Sequence, residues 1–365
     1  MRTEALSSQA STTPRLLGYR MPAEWESHQA TWIAWPHNRS DWPGKFAAIP
    51  WVYAEIVRYL SRVEQVEIVA KNAAEETAAR KVLKRAGVSA KNVRFHRWPT
   101  NRVWTRDSGP IFIRRDGDSN PSAVTNWRFN AWSKYSDWKL DNQLPDRITD
   151  KLKMKQFVPI ASVNGKRHHV VLEGGSIDVN GQGLMLTTEE CLLSKVQQRN
   201  PGMSRRNLET VFTDYLGIDK VLWLGRGIVG DDTHGHVDDI ARFAAPDTIV
   251  AAVERDRNDA NYAPLQENLK RLKAATDQHE RKLQVIPLPL PHPVIFEGRR
   301  LPASYANFYI ANNLVLVPTF NDPMDLLALK TLEAVFPTRE IVGIYCGDFI
   351  WGLGAIHCAT QQQPA

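Results

Sequence analysis

The sequence predicts an α/β protein built from recurring helix–strand units, on three observations. Five times a helical stretch is followed, after a short turn, by a compact Val/Ile-rich strand, and such alternation belongs to α/β folds. No strand leads into a glycine-rich phosphate loop, and several strands come in twos between helices. That pattern suits a radial arrangement of repeated β/α units better than a doubly wound parallel sheet. No Pro/Gly/Ser-rich linker cuts the 365 residues. One domain over 18–365 is therefore expected, behind a flexible N-terminal segment at 1–17.

Taken in order, the first unit is a helix over 51–61, with Tyr53, Ile56, Val57 and Leu60 at helical spacing, leading to a strand at 66–69. An Ala/Glu-rich helix over 73–86 ends at Gly87, a good C-terminal cap, before a strand at 93–95. A third opens at Ser204, stops at Gly217 and leads to 221–224. The last two run from 263–275 to 283–286 and from 324–336 to 341–344. Short extra strands are expected at 111–114, 170–172 and 315–318, and surface loops at 114–125 and 161–169.

Composition narrows the class. The chain is 43% hydrophobic and 24% charged, which is enough apolar material for a core and too mixed for disorder. Lys+Arg 46 against Asp+Glu 40 leaves +6, a mild excess that neither demands nor excludes nucleic acid. No basic–aromatic run supports the alternative of a single-strand nucleic-acid binder. Ten of the 12 tryptophans precede residue 140. Most read as packing rings, and Trp104, among charged neighbours, is the best pocket candidate.

Cys191, Cys346 and Cys358 form no CxxC pair and cannot all pair. Neither a disulfide framework nor a cysteine zinc site is supported, and a reducing compartment is expected. No window reaches the ~18–20 apolar residues of a membrane helix. Residues 1–16 carry Glu4 and no apolar stretch of signal-peptide length. The expectation is a cytoplasmic protein without membrane attachment.

Four clusters concentrate ionisable groups amid glycine and apolar residues: 104–110 (WTRDSGP), 172–178 (LEGGSID), 230–239 (GDDTHGHVDD) and 352–361 (GLGAIHCATQ). In the third, His234 and His236 would share one face of an extended segment, so two metal ligands are conceivable. No third ligand stands at a metal spacing. A solvated charged loop is the bland alternative, and a histidine held beside carboxylates the sharper reading. In the fourth, a lone cysteine is more often a small buried hydrophobe, the reading given to Cys191 and Cys346. Cys358 differs because glycine and small polar residues surround it. A cysteine nucleophile needs a histidine in space. His357 points the other way in an extended segment, which leaves His236. Asp107 and Glu173 could be an ion-pair partner and a turn residue. Converging with a His and a Cys, however, several acids suit a planar cation, because a guanidinium's N–H fork matches carboxylates.

Together these clusters, in this order, resemble agmatine deiminase and its relatives in the guanidine-modifying superfamily, which includes bacterial peptidylarginine deiminase. The stretches 18–26 (GYRMPAEWE), 31–36 (TWIAWP) and 304–310 (SYANFYI) resemble the same family, so the likeness runs from about residue 18 to the end. It implies a five-bladed, pseudo-fivefold α/β propeller, the pentein fold, with the active site on its axis. It implies Cys358 as nucleophile, His236 as general acid/base, Glu173 as its orienting carboxylate, and Asp107 with Asp238 as the grip on the guanidinium. Trp104 should flank the substrate's alkyl chain, Asp232 meet a distal ammonium, and Asn307 line the site. Three positions depart from the family: His234 replaces an Asn, Leu353-Gly354-Ala355 replaces Gly-Gly-Asn, and Gly347-Asp348 replaces an Arg-Glu pair.

The function implied is hydrolysis of a small guanidino substrate through a Cys thiouronium, agmatine giving N-carbamoylputrescine and ammonia in polyamine biosynthesis. It needs no metal and no organic cofactor, and no nucleic-acid or membrane partner; a homodimer stays open. The alternatives on the same fold are a peptidylarginine deiminase and an amidinotransferase. Arg106, in an extended strand, would face away from Asp107, and no other arginine stands in these clusters. Free arginine should then be a poor substrate, its carboxylate meeting Asp232 without a counter-charge.

Overall fold

The computed structural model describes residues 12–117 and 121–365. Residues 1–11 of the N-terminal segment lie outside the described residues, while Arg15–Leu17 form one 3-10 turn whose Arg15 pairs with Asp219 at 2.7 Å. The chain then runs β1 (His28–Ala34), α1 (Ile49–Leu60), β2 (Gln65–Ala70), α2 (Ala73–Arg85) and β3 (Val93–Arg97). A four-residue helix, α3 (Thr105–Ser108), precedes β4 (Ile111–Arg114), β5 (Ser122–Thr125), α4 (Leu144–Leu152) and β6 (Lys155–Phe157). The hairpin β7 (Ile160–Val163) and β8 (Lys166–His169) leads to β9 (Asp178–Val179), β10 (Leu184–Thr188), α5 (Glu189–Leu193), α6 (Arg205–Leu216) and β11 (Lys220–Leu224). Next come β12 (Ala241–Ala245), β13 (Thr248–Val253), α7 (Tyr262–Ala274), β14 (Gln284–Pro289) and the hairpin β15 (Ile295–Phe296) and β16 (Arg299–Arg300). The last elements are β17 (Tyr309–Ala311), β18 (Leu314–Thr319), α8 (Met324–Val335), β19 (Glu340–Tyr345) and β20 (Gln361–Pro364).

Apart from the two-stranded hairpins β7-β8 and β15-β16, the strands among the described residues form five mixed sheets with one repeated logic. In β4-β5-β6, β9-β10-β11, β12-β13-β14 and β17-β18-β19 the first pair is antiparallel and the second parallel. A parallel pair needs a crossover connection, and each receives a helix: α4, α5 with α6, α7 and α8. The remaining sheet, β20-β1-β2-β3, follows the same rule with one strand more. Its antiparallel first strand comes from the C-terminus, where Trp32 Nε1 donates to Gln363 Oε1 at 2.9 Å.

All five expected helix–strand passages are present, but they are not one per sheet. Two of them, α1–β2 and α2–β3, belong to the first sheet. The passage α4–β6 of the second sheet is absent from the expectation, because Lys155-Gln156-Phe157 offers no Val or Ile signal. The expected strand at 170–172 is only an isolated bridge of Val171 to Arg128. The loop expected at 161–169 is a hairpin turning at Asn164-Gly165, both with positive φ, the backbone a two-residue hairpin requires. Of the loop expected at 114–125, residues 122–125 are the fully buried β5. No helix among the described residues is long and apolar enough to cross a membrane.

Candidate active site

The five passages that enter the antiparallel first strands each carry site residues expected from the sequence. Ahead of β4 stand Trp104 and Asp107; ahead of β9, Glu173; ahead of β12, Asp232, His236 and Asp238; ahead of β17, Asn307; ahead of β20, Cys358. With β20 packed on β4 and β12 on β9, residues as far apart as Thr105 and Ala359, 254 positions, meet.

Cys358 does not lie in an extended segment. Residues 356–359 form a turn, with the Ala359 N–H on Ala355 O at 3.3 Å and the Thr360 N–H on His357 O at 3.1 Å. Asn307 braces it: its Oδ1 accepts the His357 N–H at 3.0 Å and its Nδ2 donates to Cys358 Sγ at 3.1 Å. Sγ lies 3.8 Å from Asp238 Oδ2. Burial, with the negative charge of Asp238, Asp239 and Asp107, pushes the thiol well above its ordinary value. These charges favour the thiol, and a cation bound beside it would favour the thiolate.

His236 is fully buried, its Nδ1 3.7 Å from Asp107 Oδ1 and its Nε2 3.9 Å from Glu173 Oε2. Burial alone would lower the imidazole, but Asp107, Cys191 and Glu173 outweigh it and hold the ring well above its usual range. Asp231 fixes the approach to it, its Oδ2 accepting the N–H groups of Gly235 at 2.7 Å and His236 at 3.0 Å. Burial would likewise raise Glu173, yet Arg199 and His236 bring it down to about 2. Arg199 Nε donates to Glu173 Oε1 at 3.0 Å with both side chains fully buried. Cys191 sits in the core as expected, but beside this pair: Glu173, Cys191 and His236 each bring a ligand atom within 4.8 Å of the others. The Arg199 guanidinium sets a fixed positive charge against a metal ion there.

Asp107 accepts from Trp132 Nε1 at 2.9 Å and from the Gly175 N–H at 3.1 Å. Burial raises its carboxyl, His236 opposes, and Asp238 and Glu173 add repulsion, leaving it at about 6. Asp238 is lowered in spite of burial, chiefly by His357, whose Nδ1 lies 2.7 Å from Asp238 Oδ2. His357 Nε2 is 2.8 Å from Glu24 Oε2, so this histidine serves the carboxylates and turns away from the thiol. Glu24 also receives Arg106 at 3.1 Å and Arg242 at 2.8 Å. Arg106 does face away from Asp107, though from a helical turn and not a strand. Gly175 has no room for a side chain: a Cβ there would lie 2.6 Å from His236 Nδ1, 2.8 Å from Asp107 Oδ1 and 3.0 Å from Asp238 Oδ2. Those three atoms thus converge on one point.

Cys358 and Asp107 open onto a cleft of about 420 Å³ that Trp104, Trp132, Asp232 and Leu353 also line. Trp104 packs on Phe349 and Trp42 with ring centroids 5.8 and 5.6 Å away. Asp232 lies in the cleft as expected, but not alone. Lys134 Nζ pairs with its Oδ1 and Tyr135 Oη donates to its Oδ2 at 2.5 Å. Arg102 and Arg299 line the same cleft, so the far end is not free of positive charge as the sequence suggested. His234 is displaced from it: positive φ at His234 and Gly235 turns the ring to Ser194 Oγ, 3.1 Å away, in a separate cleft with Glu190 and Arg226. His234 and His236 therefore do not share a face. Asp348 of the departing Gly347-Asp348 pair is engaged by Lys45.

Sequence reasoning missed Arg199, Trp132, Glu24, Asp231 and Lys134, and gave His357 no role. Glu24 lay inside a quoted stretch without one. Asp231 carried the clearest local signal, an acid four residues ahead of Gly235 in the polar turn Asp231-Asp232-Thr233-His234-Gly235.

The chain is 35% identical to the agmatine deiminase of Pseudomonas aeruginosa (strain UCBPP-PA14), covering 98% of this chain and 99% of the relative. A solved structure of the agmatine deiminase of Enterococcus faecalis superposes with a TM-score of 0.88 at 31% identity, covering 98% of each chain. An amidinotransferase from Microseira wollei, SxtG, shares the fold at a TM-score of 0.51 and 11% identity, over 94% of this chain and 96% of that one. Residues 20–364 match the family described as Porphyromonas-type peptidyl-arginine deiminase, and the chain belongs to that family.

Proposed function

We propose that this chain hydrolyses the guanidino group of agmatine to N-carbamoylputrescine and ammonia. The observation that carries the reading is the convergence of Asp107 Oδ1, Asp238 Oδ2 and His236 Nδ1 around Gly175, with Cys358 Sγ 3.8 Å from Asp238. Two carboxylates at this spacing suit a bidentate grip on a planar cation. The kinship with agmatine deiminases supports the same substrate.

In the proposed mechanism the guanidinium settles between Asp107 and Asp238 with its central carbon facing Cys358, which makes attack effectively intramolecular. Its charge relieves the repulsion on Asp107 and Cys358, and the thiol proton passes to solvent in the cleft. The thiolate adds to the carbon, forming C–S. His236, protonated at the outset, gives its proton to one nitrogen, which departs as ammonia when the C–N bond breaks. The thiouronium stays bound. Neutral His236 takes a proton from water, whose oxygen adds to the same carbon. The C–S bond then breaks, releasing the urea and Cys358. Glu173, kept ionised by Arg199, steadies His236 in both protonation states. Trp104 covers the methylenes and Asp232 receives the distal ammonium. Asn307 positions the sulfur.

The five sheets of shared strand logic, with the first closed by the last strand of the chain, support a five-bladed propeller with this site on its axis. The same reading takes 18–365 as one catalytic domain acting in the cytoplasm on a small molecule without metal or cofactor. The test is a panel of agmatine, free arginine, peptide-borne arginine and other guanidines, read as ammonia and ureido product. Ureido product from agmatine is expected. A protein that releases none from agmatine would remove the reading.

A further inference from the structure

We propose that Lys134 sets the substrate preference of the cleft. Its ammonium holds the place on Asp232 that a substrate's distal ammonium must take, and, once displaced, it is the counter-ion for a substrate carboxylate. The inference rests on the guanidine-hydrolase reading above and names the class of distal group the site accepts.

The charges at the far end are already matched. Asp232, with its side chain 12% exposed, has both oxygens occupied, one by Lys134 and one by Tyr135. Asp41, a second carboxylate there, holds Arg102, whose guanidinium lies 4.2 Å from the Tyr135 ring centroid. Arg299 completes the wall, 5.9 Å from the Trp351 ring centroid. Asp137 Oδ1, 3.2 Å from Arg102 Nη2, adds a further acid, so three acids face three cations.

The Lys134–Asp232 pair is built and not a chance surface contact. Gln197 Nε2 donates to both Trp132 O and Asp232 O at 3.1 Å, tying the two loops together. Ala131, Trp132 and Ser133 all have positive φ, a conformation non-glycine residues adopt only where their surroundings enforce it. This strained turn places Trp132 on Asp107 and Lys134 on Asp232, so one segment touches both ends of the cleft.

An incoming agmatine takes Asp232 from Lys134 and leaves two ammonium groups side by side. A head group with an ammonium and a carboxylate on one carbon satisfies both halves of the opened pair, with Arg299 adding to the attraction. Free arginine, rejected on sequence grounds for want of a counter-charge, thus has one. The class admitted is guanidino compounds with a zwitterionic α-amino-acid head, beside agmatine.

The test compares wild type, Lys134→Met and Lys134→Arg on agmatine, free arginine and butylguanidine. Each kcat/KM is taken relative to butylguanidine with the same enzyme, which cancels any general loss from misfolding. Lys134→Met should raise the agmatine value about 3- to 10-fold, because a half-exposed ammonium of modest pairing strength no longer competes for Asp232. It should lower the arginine value at least ~10-fold through loss of the carboxylate's partner. Lys134→Arg should keep arginine within ~3-fold of wild type. An agmatine-to-arginine ratio that moves less than ~3-fold in Lys134→Met, with turnover intact, overturns the role of Lys134 alone. Absence of ureido product from all three guanidines in wild type overturns the deiminase reading and this inference together.

Discussion

The indole N–H of Trp132 reaches Asp107 Oδ2 at 2.9 Å from the left-handed turn Ala131–Ser133. Such backbone costs about 1–2 kcal/mol per residue, and the bond is among the things it secures. Hydrogen bonds to charged groups contribute about 1.5–3 kcal/mol. Trp132→Phe keeps the ring and loses the donor, and should lower kcat/KM for agmatine ~10- to 100-fold with the thermal midpoint nearly unchanged. Unaltered kinetics would mean that Asp107 needs no such support.

Asp107 also predicts a pH dependence. Its folded-state value of about 6 lies above its ordinary 3.8, so below about pH 6 the free protein keeps a proton there that a guanidinium must expel. Glu173 at about 2 and the lowered Asp238 are ionised throughout that window. Agmatine affinity for Cys358→Ser should thus fall as pH drops below about 6, approaching tenfold per pH unit. Isothermal titration between pH 7.5 and 5 reads this directly, and a flat profile would contradict it. Trp132→Phe, lacking a donor that stabilises the carboxylate, should shift the limb to higher pH.

The three thiols should separate by chemistry. Cys358→Ala is expected to abolish ureido product, because among the described residues no other sulfur opens on the cleft. Cys346 is buried under the last sheet, where burial pushes its thiol far up, and Cys346→Ala should stay within a few-fold. Iodoacetamide labelling, mapped by mass spectrometry, should fall on Cys358 and be suppressed by agmatine. Labelling spread over all three would indicate an opened structure and not a reactive site.

What was legible in the sequence follows from what is local. The turn from α6 to β11 could be read because Ser204 and Gly217 cap one helix from its own ends. The acid, imidazole and thiol positions could be read because each lies in a contiguous motif shared with a family. The supports could not, since a buried pair carries no periodicity: Arg199 stands 26 residues from Glu173, and His357 stands 333 from Glu24. Lys134 was invisible for the same reason, being 98 residues from Asp232, and that omission reversed the argument about arginine. The strand at 155–157 was hidden for another. Its place comes from pairing with β5, which overrides a weak intrinsic preference.

Arg199 yields the most demanding test. Its guanidinium reaches Glu173 Oε1 through Nε and the carbonyls of Gln197 at 2.9 Å and of Thr233 through its two other nitrogens. It thereby joins the carboxylate behind His236 to the loop that carries His236. Glu173 titrates at about 2 against an ordinary 4.5. An acid whose folded value is depressed adds stability that is present above its unfolded value and lost as pH falls through the folded one. The contribution is therefore full at pH 7 and wanes between about 4.5 and 2. Arg199→Met strands a fully buried carboxylate, and removing one partner of such a pair costs on the order of 3–5 kcal/mol. Its thermal midpoint should drop steeply at pH 7 and less at pH 4, where protonation of Glu173 relieves the unpaired charge. Adding Glu173→Gln to Arg199→Met should restore part of the lost midpoint, because the stranded charge is gone, while activity stays low for want of a carboxylate behind His236. Arg199→Lys keeps the charge but not the planar fork, and should recover stability better than kcat. If the double variant is no more stable than Arg199→Met, Glu173 does not depend on Arg199 for its charge, and the depressed value has another cause.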